Sequence, residues 1–275
     1  IKFQKFQGAG NDFIIIDNRN QVYEFTREIV EYFCDRKFGI GADGLMLLET
    51  CPGYDFKMRY FNSDGREASL CGNGSRCIVA YAHRLGLFLQ TTRFLAADGE
   101  HQGEITPQGV RVKMNDVSRI TVAPDYFFLD TGSPHYVKVV ADAFQTDVIT
   151  AGRMIRYAPS FQPGGTNVNF ITPTPACIRI ATYERGVEDE TLACGTGCVA
   201  AALSAALLNH DHSGTYTLQA KGGILKVSFK QLADNHFTDI WLPNSFLPAK
   251  SKHPKPEARK QCKRSAGQPP TFRPS

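Results

Sequence analysis

The stretch Thr191-Leu192-Ala193-Cys194-Gly195-Thr196-Gly197-Cys198-Val199-Ala200-Ala201-Ala202-Leu203 decides the fold. A cysteine sits in a Gly-rich turn, and an Ala/Leu run follows at once. Ala and Leu are strong helix formers, so the run predicts a helix with Cys194 at its start. The first amides of a helix lack partners inside it, and the helix dipole is positive there. Such a place favours an anion and is expected to lower a thiol pKa. A second copy reads Leu70-Cys71-Gly72-Asn73-Gly74-Ser75-Arg76-Cys77-Ile78-Val79-Ala80-Tyr81-Ala82. The copies are expected to extend upstream without a gap. Tyr60 and Tyr183 each lie eleven residues before their cysteine, and Glu67 and Glu190 lie four before. Strand-like segments at 55–59 and 177–181 precede the tyrosines. One unit used twice supplies two cysteines at two helix starts.

At 275 residues the chain is long enough for a large core or two ordinary domains. No apolar run approaches the roughly 18 residues that span a membrane. The opening Ile1-Lys2-Phe3-Gln4-Lys5-Phe6 has no signal-peptide h-region. Eight cysteines do not argue for staples in a chain of this size. Cys71 with Cys77, and Cys194 with Cys198, lack the C-x2-C spacing of a zinc site, so reduced thiols and no metal are expected. The net charge of +4 misleads. Residues 244–275 hold eight Lys/Arg against Glu257 alone, which leaves residues 1–243 at −3. The basic balance is therefore no argument for nucleic-acid binding by the folded part.

In chain order, strands are expected at 2–7 and 13–16 around the turn Gly8–Asp12. A helix over 26–36, a loop at 39–44 and a strand at 45–49 follow. The strand ending at Phe61 runs into the turn Asn62-Ser63-Asp64-Gly65. The first cysteine helix reaches about Leu85, and short strands continue to Met114. The second half repeats the layout: strand 127–130, polar turn Thr131-Gly132-Ser133-Pro134-His135, strand 136–140. The turn Gly164–Asn167 precedes a strand at 168–171. The second helix reaches about Asn209, and strands at 215–219, 224–229 and 237–242 complete the ordered chain. Domains of 1–118 and 119–243 are expected, with 244–275 a basic, disordered tail.

Two thiols at two helix starts point to two-base proton transfer at carbon. One thiolate removes a hydrogen from one face, and the other thiol delivers one to the opposite face. A weakly acidic α-proton needs help for the developing carbanion, and two helix N-termini supply it through preorganised N–H donors. Most buried cysteines are small hydrophobes, and Cys34, Cys51, Cys77, Cys177 and Cys198 read that way. Phosphate loops are excluded, because neither Gly-x-x-x-x-Gly-Lys-Ser/Thr nor Gly-x-Gly-x-x-Gly occurs between strand and helix. A cysteine hydrolase could use His135, but would leave the second cysteine turn unexplained.

The motifs Gly10-Asn11-Asp12-Phe13, Phe61-Asn62-Ser63-Asp64-Gly65, Cys71-Gly72-Asn73-Gly74-Ser75-Arg76-Cys77, Gly132-Ser133-Pro134-His135, Gly165-Thr166-Asn167-Val168-Asn169-Phe170, Tyr183-Glu184-Arg185-Gly186 and Ala193-Cys194-Gly195-Thr196-Gly197 cover about residues 2–242. In this order the sequence resembles the diaminopimelate epimerases, cofactor-independent amino-acid racemases. The resemblance implies an α/β fold of two pseudo-symmetric domains. Each would be a curled, mostly antiparallel sheet around a central helix, with the active site in the cleft between them. It implies Cys71 as proton donor and Cys194 as acceptor in epimerising LL-diaminopimelate to the meso form. Gly72, Asn73, Gly195 and Thr196 would hold the reacting carboxylate. Asn11, Asn62, Asn167, Glu184 and Arg185 would read the far amino-acid end, where Arg grips carboxylate and Glu an ammonium. His135 and Glu184 would act beside the thiols. No cofactor is implied. The partner would be a small molecule, with no nucleic acid and no membrane, leaving room for a homodimer. A cytoplasmic enzyme serving lysine and peptidoglycan precursor synthesis is implied.

Ser133 stands where many members carry Asn, and Gly44 where some carry Gln. The family's closing strand with Gly-Pro-Ala is expected after Leu242, but Pro243-Asn244-Ser245-Phe246 and the basic tail stand there. The chain is therefore expected to be less stable than a relative with that strand, or inactive. Competing readings are a proline racemase or hydroxyproline epimerase, an inert relative and a zinc module. The first lacks a use for the Asn set, Glu184 and Arg185.

Overall fold

The computed structural model describes residues 1–68 and 71–243; the expected tail and altered closing end at 244–275 lie outside the described residues. The first half runs β1 (Gln4–Gly8), β2 (Asn11–Asp17), α1 (Arg27–Cys34), β3 (Gly44–Glu49), β4 (Phe56–Asn62), β5 (Glu67–Ala68), α2 (Gly72–Arg84), β6 (Thr91–Ala96), β7 (Gly99–Thr106) and β8 (Gly109–Lys113). Then come β9 (Ile120–Val122), β10 (Phe127–Asp130), β11 (Pro134–Val139), α3 (Val148–Arg156), β12 (Asn167–Pro173), β13 (Ile178–Glu184) and β14 (Asp189–Thr191). The helix α4 (Gly195–Asn209) and the strands β15 (Ser213–Ala220), β16 (Gly223–Ala233) and β17 (His236–Pro243) follow.

The strands form one continuous sheet whose two runs repeat the same pairing. In the first, β2 pairs parallel to β3, β3 antiparallel to β4, and β4 parallel to β6, followed by antiparallel β7 and β8. In the second, β11 pairs parallel to β12, β12 antiparallel to β13, and β13 parallel to β15, followed by antiparallel β16 and β17. The runs join where β8 and β17 pair antiparallel, Val112 opposite Leu242. α1 and α3 occupy matching places, each between two parallel neighbours. The architecture is the mixed α/β fold with a curled sheet and central helices that the sequence leads one to expect.

The run Phe13–Ile16 is buried throughout because helices cover both faces of β2. Phe13 and Ile15 join Met46, Leu48, Ile78 and Val79 on the α2 side. Ile14 and Ile16 join Leu45, Leu47, Val30 and Cys34 on the α1 side. α4 has no polar face to show: Val199 through Leu203 are fully buried inside the second run. It ends on His210, whose φ of 57° gives a left-handed cap.

One helix has no counterpart among the expectations and one expectation is corrected. α3 falls in a stretch for which no element was expected, and Asp147 caps it by accepting from the Thr150 amide at 3.1 Å. The copies also do not align without a gap. Ala68 and Thr191 each lie three residues before their cysteine; Ala68 pairs with Tyr60, but Thr191 pairs with Thr182. The second hairpin holds one extra residue, so Thr182, not Tyr183, is the counterpart of Tyr60. A one-residue slip turns a side chain to the other face. Tyr60 therefore packs on the α2 side, whereas Tyr183 packs on the α3 side against Gly152. Glu67 and Glu190 remain counterparts, opposite Phe61 and Tyr183.

Candidate active site

Cys71 and Cys194 are the N-cap residues of α2 and α4, both in extended backbone. The two helix starts face each other closely. A Cβ placed on Gly195 would lie 3.5 Å from the Gly72 Cα and 3.0 Å from Leu242 Cδ2; one on Gly72 would lie 3.1 Å from the same Leu242 atom. The tight contact at both positions is with the Leu242 methyl, while the two backbones meet at ordinary contact distance. The Cys194 Sγ accepts from the Gly197 amide at 3.4 Å and lies 3.3 Å from Thr196 Oγ1.

A cleft of about 710 Å³ opens over these starts. The structure brings together there Cys71, Gly72, Asn73, Cys194, Gly195 and Thr196 from the helix starts. Asn11, Asn62, Asn167, Glu184 and Arg185 reach the same cleft from strand ends. The Asn167 Oδ1 accepts from the Arg185 amide at 2.8 Å, and its Nδ2 donates to Ser133 Oγ and to the Pro134 carbonyl. Glu184 Oε2 accepts from Thr191 at 2.8 Å. Asn11 donates to Asp43 and accepts from Asn73 at 2.8 Å. A separate groove beside Tyr54, Arg93 and Trp241 carries neither cysteine nor histidine.

His135 is fully buried and does not line the cleft; its hydrogen bonds reach Cys194 through Thr196. Asn169 Nδ2 donates to the Tyr136 carbonyl and, at 3.0 Å, to His135 Nδ1. Asn169 Oδ1 accepts from Thr182 Oγ1, which fixes the amide's orientation. Nδ1 is thus an acceptor, and the ring proton sits on Nε2. That N–H faces Thr196 Oγ1 at 3.0 Å and Ser133 Oγ at 3.1 Å, which leaves the Thr196 hydroxyl proton for Cys194. By strand register, Phe13, Met46 and Tyr60 are the counterparts of His135, Asn169 and Thr182. Phe13, Met46 and the Tyr60 phenol therefore back the first thiol, and an imidazole, an amide and a hydroxyl the second.

Sequence reasoning missed Asn169 and Thr182, which read as strand interior, and named Tyr60 only as a repeat marker. Tyr60 lies against Cys71 and lines the cleft. Gly44 is explained as well: a Cβ there would fall 2.6 Å from the Tyr60 ring. Arg76 was also missed. It is fully buried, donates through Nη2 to Asn73 Oδ1, and its Nε and Nη1 find no partner among the described residues.

The electrostatics overturn one expectation. Both thiols are pushed up, Cys194 well above its ordinary value, first by burial and then by the Glu184 carboxylate. The amides of Gly74 and Asn73 at Cys71, and Thr196 with the Gly197 amide at Cys194, pull down but do not win. The helix start stabilises a thiolate, yet loss of water outweighs it. Burial raises Glu184 as well, and burial followed by the Arg185 charge lowers His135 to about 3. Among the described residues no group of three or more His, Cys, Asp or Glu is placed to hold a metal ion. No helix among them is long and apolar enough to cross a membrane.

The chain matches the model of the diaminopimelate epimerase family over residues 3–120 and 127–239. It is 44% identical over 245 residues to the diaminopimelate epimerase of Flavobacterium psychrophilum, covering 88% of this chain and 95% of that one. With the Aquifex aeolicus diaminopimelate epimerase the identity is 42% over 224 residues, 74% of this chain and 80% of the relative. Among solved structures, a phenazine biosynthesis protein of the PhzF family from Bacillus anthracis superposes with a TM-score of 0.67 at 13% identity, over 87% of this chain and 93% of that one. A probable proline racemase from Agrobacterium radiobacter gives 0.63 at 14%, over 90% and 92%. These two likenesses describe the fold.

Proposed function

The chain belongs to the diaminopimelate epimerase family, and from that premise we infer that this cleft epimerises LL-2,6-diaminopimelate to the meso form. The observation that carries the reading is the pair of cysteines capping two opposed helix starts in one cleft. Cys194 as thiolate removes the α-hydrogen, and Cys71 as thiol delivers a proton to the other face. The reverse reaction exchanges the roles. The carboxylate of the reacting end lies on the amides following Cys71 and Cys194, which stabilise the charge that delocalises into it. The pinched approach of Gly72 and Gly195 supports a carboxylate held between both helices. Arg185, Asn167, Asn62, Asn11 and Glu184 take the distal carboxylate and ammonium. Their placement in the same cleft supports this. His135 stays neutral and acts through Thr196, orienting its hydroxyl toward Cys194.

Residues 1–118 and 119–243 serve as two domains, one bringing each thiol. The proton transfer needs no cofactor, and the thiols need reducing surroundings, which supports a cytoplasmic enzyme. The meso product serves lysine and peptidoglycan precursor synthesis.

The test is deuterium exchange at the α-carbons of LL-diaminopimelate in D2O. Exchange and conversion are expected from the unaltered chain and are lost by at least about 10³-fold in Cys71→Ala and Cys194→Ala, because each removes a transition-state base. A well-folded chain that leaves this substrate unchanged and racemises proline would overturn the reading.

A further inference from the structure

Arg76 belongs to neither the cleft lining nor any ion pair in the described residues, yet it lies fully buried in the first turns of α2. Unpaired charge in a protein interior is costly, and chains normally pair it or omit it. The counterpart in α4, five residues after its cysteine, is Val199, so the packing alone does not require a cation. One guanidinium serves both copies: its charge is felt at Cys71 and Cys77 on its own helix and at Cys198 on the other. Among the described residues its one hydrogen bond goes to Asn73 Oδ1, and Asn73 Nδ2 in turn ties Asn11 to the Ala193 carbonyl, just before Cys194. The cation thus sits behind the place where the two helix starts meet.

The cleft gathers negative charge during the proposed reaction: a thiolate, the substrate carboxylate and the carbanion it delocalises, with Glu184 close by. Helix dipoles contribute only about half a charge each at their N-termini. A carboxylate partner for Arg76 would cancel its field where that field is needed. Leaving it with one neutral acceptor keeps the full charge directed at the helix starts.

We propose that Arg76 is a positioning residue of this reaction, a buried and singly bonded guanidinium whose charge favours the Cys71 thiolate from behind. The proposal rests on the epimerase reading, and its test separates the two. Arg76→Gln keeps a donor for Asn73 and removes the charge, whereas Arg76→Lys keeps the charge. Two quantities are read: the acid limb of kcat/KM against pH for the meso-to-LL reaction, in which Cys71 is the base, and the pH midpoint of iodoacetamide alkylation at Cys71 by peptide mass spectrometry. In Arg76→Gln both move up by about one pH unit, and kcat/KM near neutral pH falls about tenfold with the thermal midpoint not reduced in proportion. Arg76→Lys returns both toward the unaltered chain. If both midpoints stay in place in folded Arg76→Gln, or if Lys behaves as Gln, the proposal is wrong and the arginine only fills space. Arg76→Met reads the same quantities should the Gln variant not fold. A chain without epimerase activity would defeat the epimerase reading, while the alkylation midpoint would still decide Arg76.

Discussion

His135 shows how a single buried residue links chemistry to stability. Both ring nitrogens are satisfied in the neutral form, Nδ1 by Asn169 and Nε2 by Thr196 and Ser133. Protonation would set a second N–H against the Asn169 amide and a charge against the Arg185 field, so burial and Arg185 hold the pKa at about 3. In the unfolded chain the ring returns to about 6.5. Between those values the unfolded state binds the extra proton. The stability from neutral His135 is therefore complete above pH 6.5 and is lost as the pH falls toward 3. The loss approaches about 1.4 kcal/mol per pH unit in that window. Urea unfolding of the intact chain and of His135→Gln, measured from pH 7 to 4, should give curves that converge as the pH drops. Parallel curves would mean that the imidazole is charged or solvated in the folded state. The same burial removes His135 as a general base near neutral pH, which agrees with its place behind Thr196.

At the scale of elements, the cleft depends on how closely α2 and α4 approach. Leu242 on β17 is the wedge between them, since its Cδ2 stands about 3 Å from where a Cβ on either Gly72 or Gly195 would be. Gly195→Ala should press its Cβ on the Leu242 side chain while meeting Gly72 at ordinary contact distance. It is expected to destabilise by about 1–3 kcal/mol through overpacking, and to lower kcat/KM because the methyl crowds the place of the carboxylate between the helix starts. Leu242→Ala relieves the contact and creates a cavity, costing about 2–5 kcal/mol. Combined, the two changes should recover part of the Gly195→Ala loss in thermal midpoint, and simple additivity would show that Leu242 is not the obstacle. Both helices and both cysteines were legible in the sequence because Cys-Gly-polar-Gly followed by a helical run is a local signal. The grouping of His135, Asn169 and Thr182 was not, because these residues meet only through strand register across β11, β12 and β13. The helix α3 was missed for a related reason. Its Asp147 cap and apolar face are ordinary, and its place follows only once α1 is matched to it across the duplication.

For the molecule as a whole, the proposed reaction sets chemically different thiols on opposite faces of one carbon, and the duplicated sheet supplies a physical reason for that difference. The repeat delivers the geometry, and the later divergence distinguishes the copies: Arg76 against Val199, and Phe13, Met46 and Tyr60 against His135, Asn169 and Thr182. The inserted residue in the second hairpin has the same effect, and a search for matching letters misaligns Tyr60 with Tyr183 because of it. The arrangement also makes the pair vulnerable. Cys71 and Cys194 are unbridged and partly accessible, and they cap opposed helices from the two runs of the sheet. A mild oxidant such as oxidised glutathione should join their sulfurs, each thiol releasing a proton and the pair giving two electrons to the oxidant. Activity should then disappear and return with dithiothreitol. The thermal midpoint of the oxidised form should rise, because the bridge closes a loop of over a hundred residues and limits the unfolded chain by an amount on the order of 4–5 kcal/mol. Cys71→Ser and Cys194→Ser should show no such rise. If loss of activity resists dithiothreitol, or the rise persists in either Ser variant, the two sulfurs do not face each other across a single carbon.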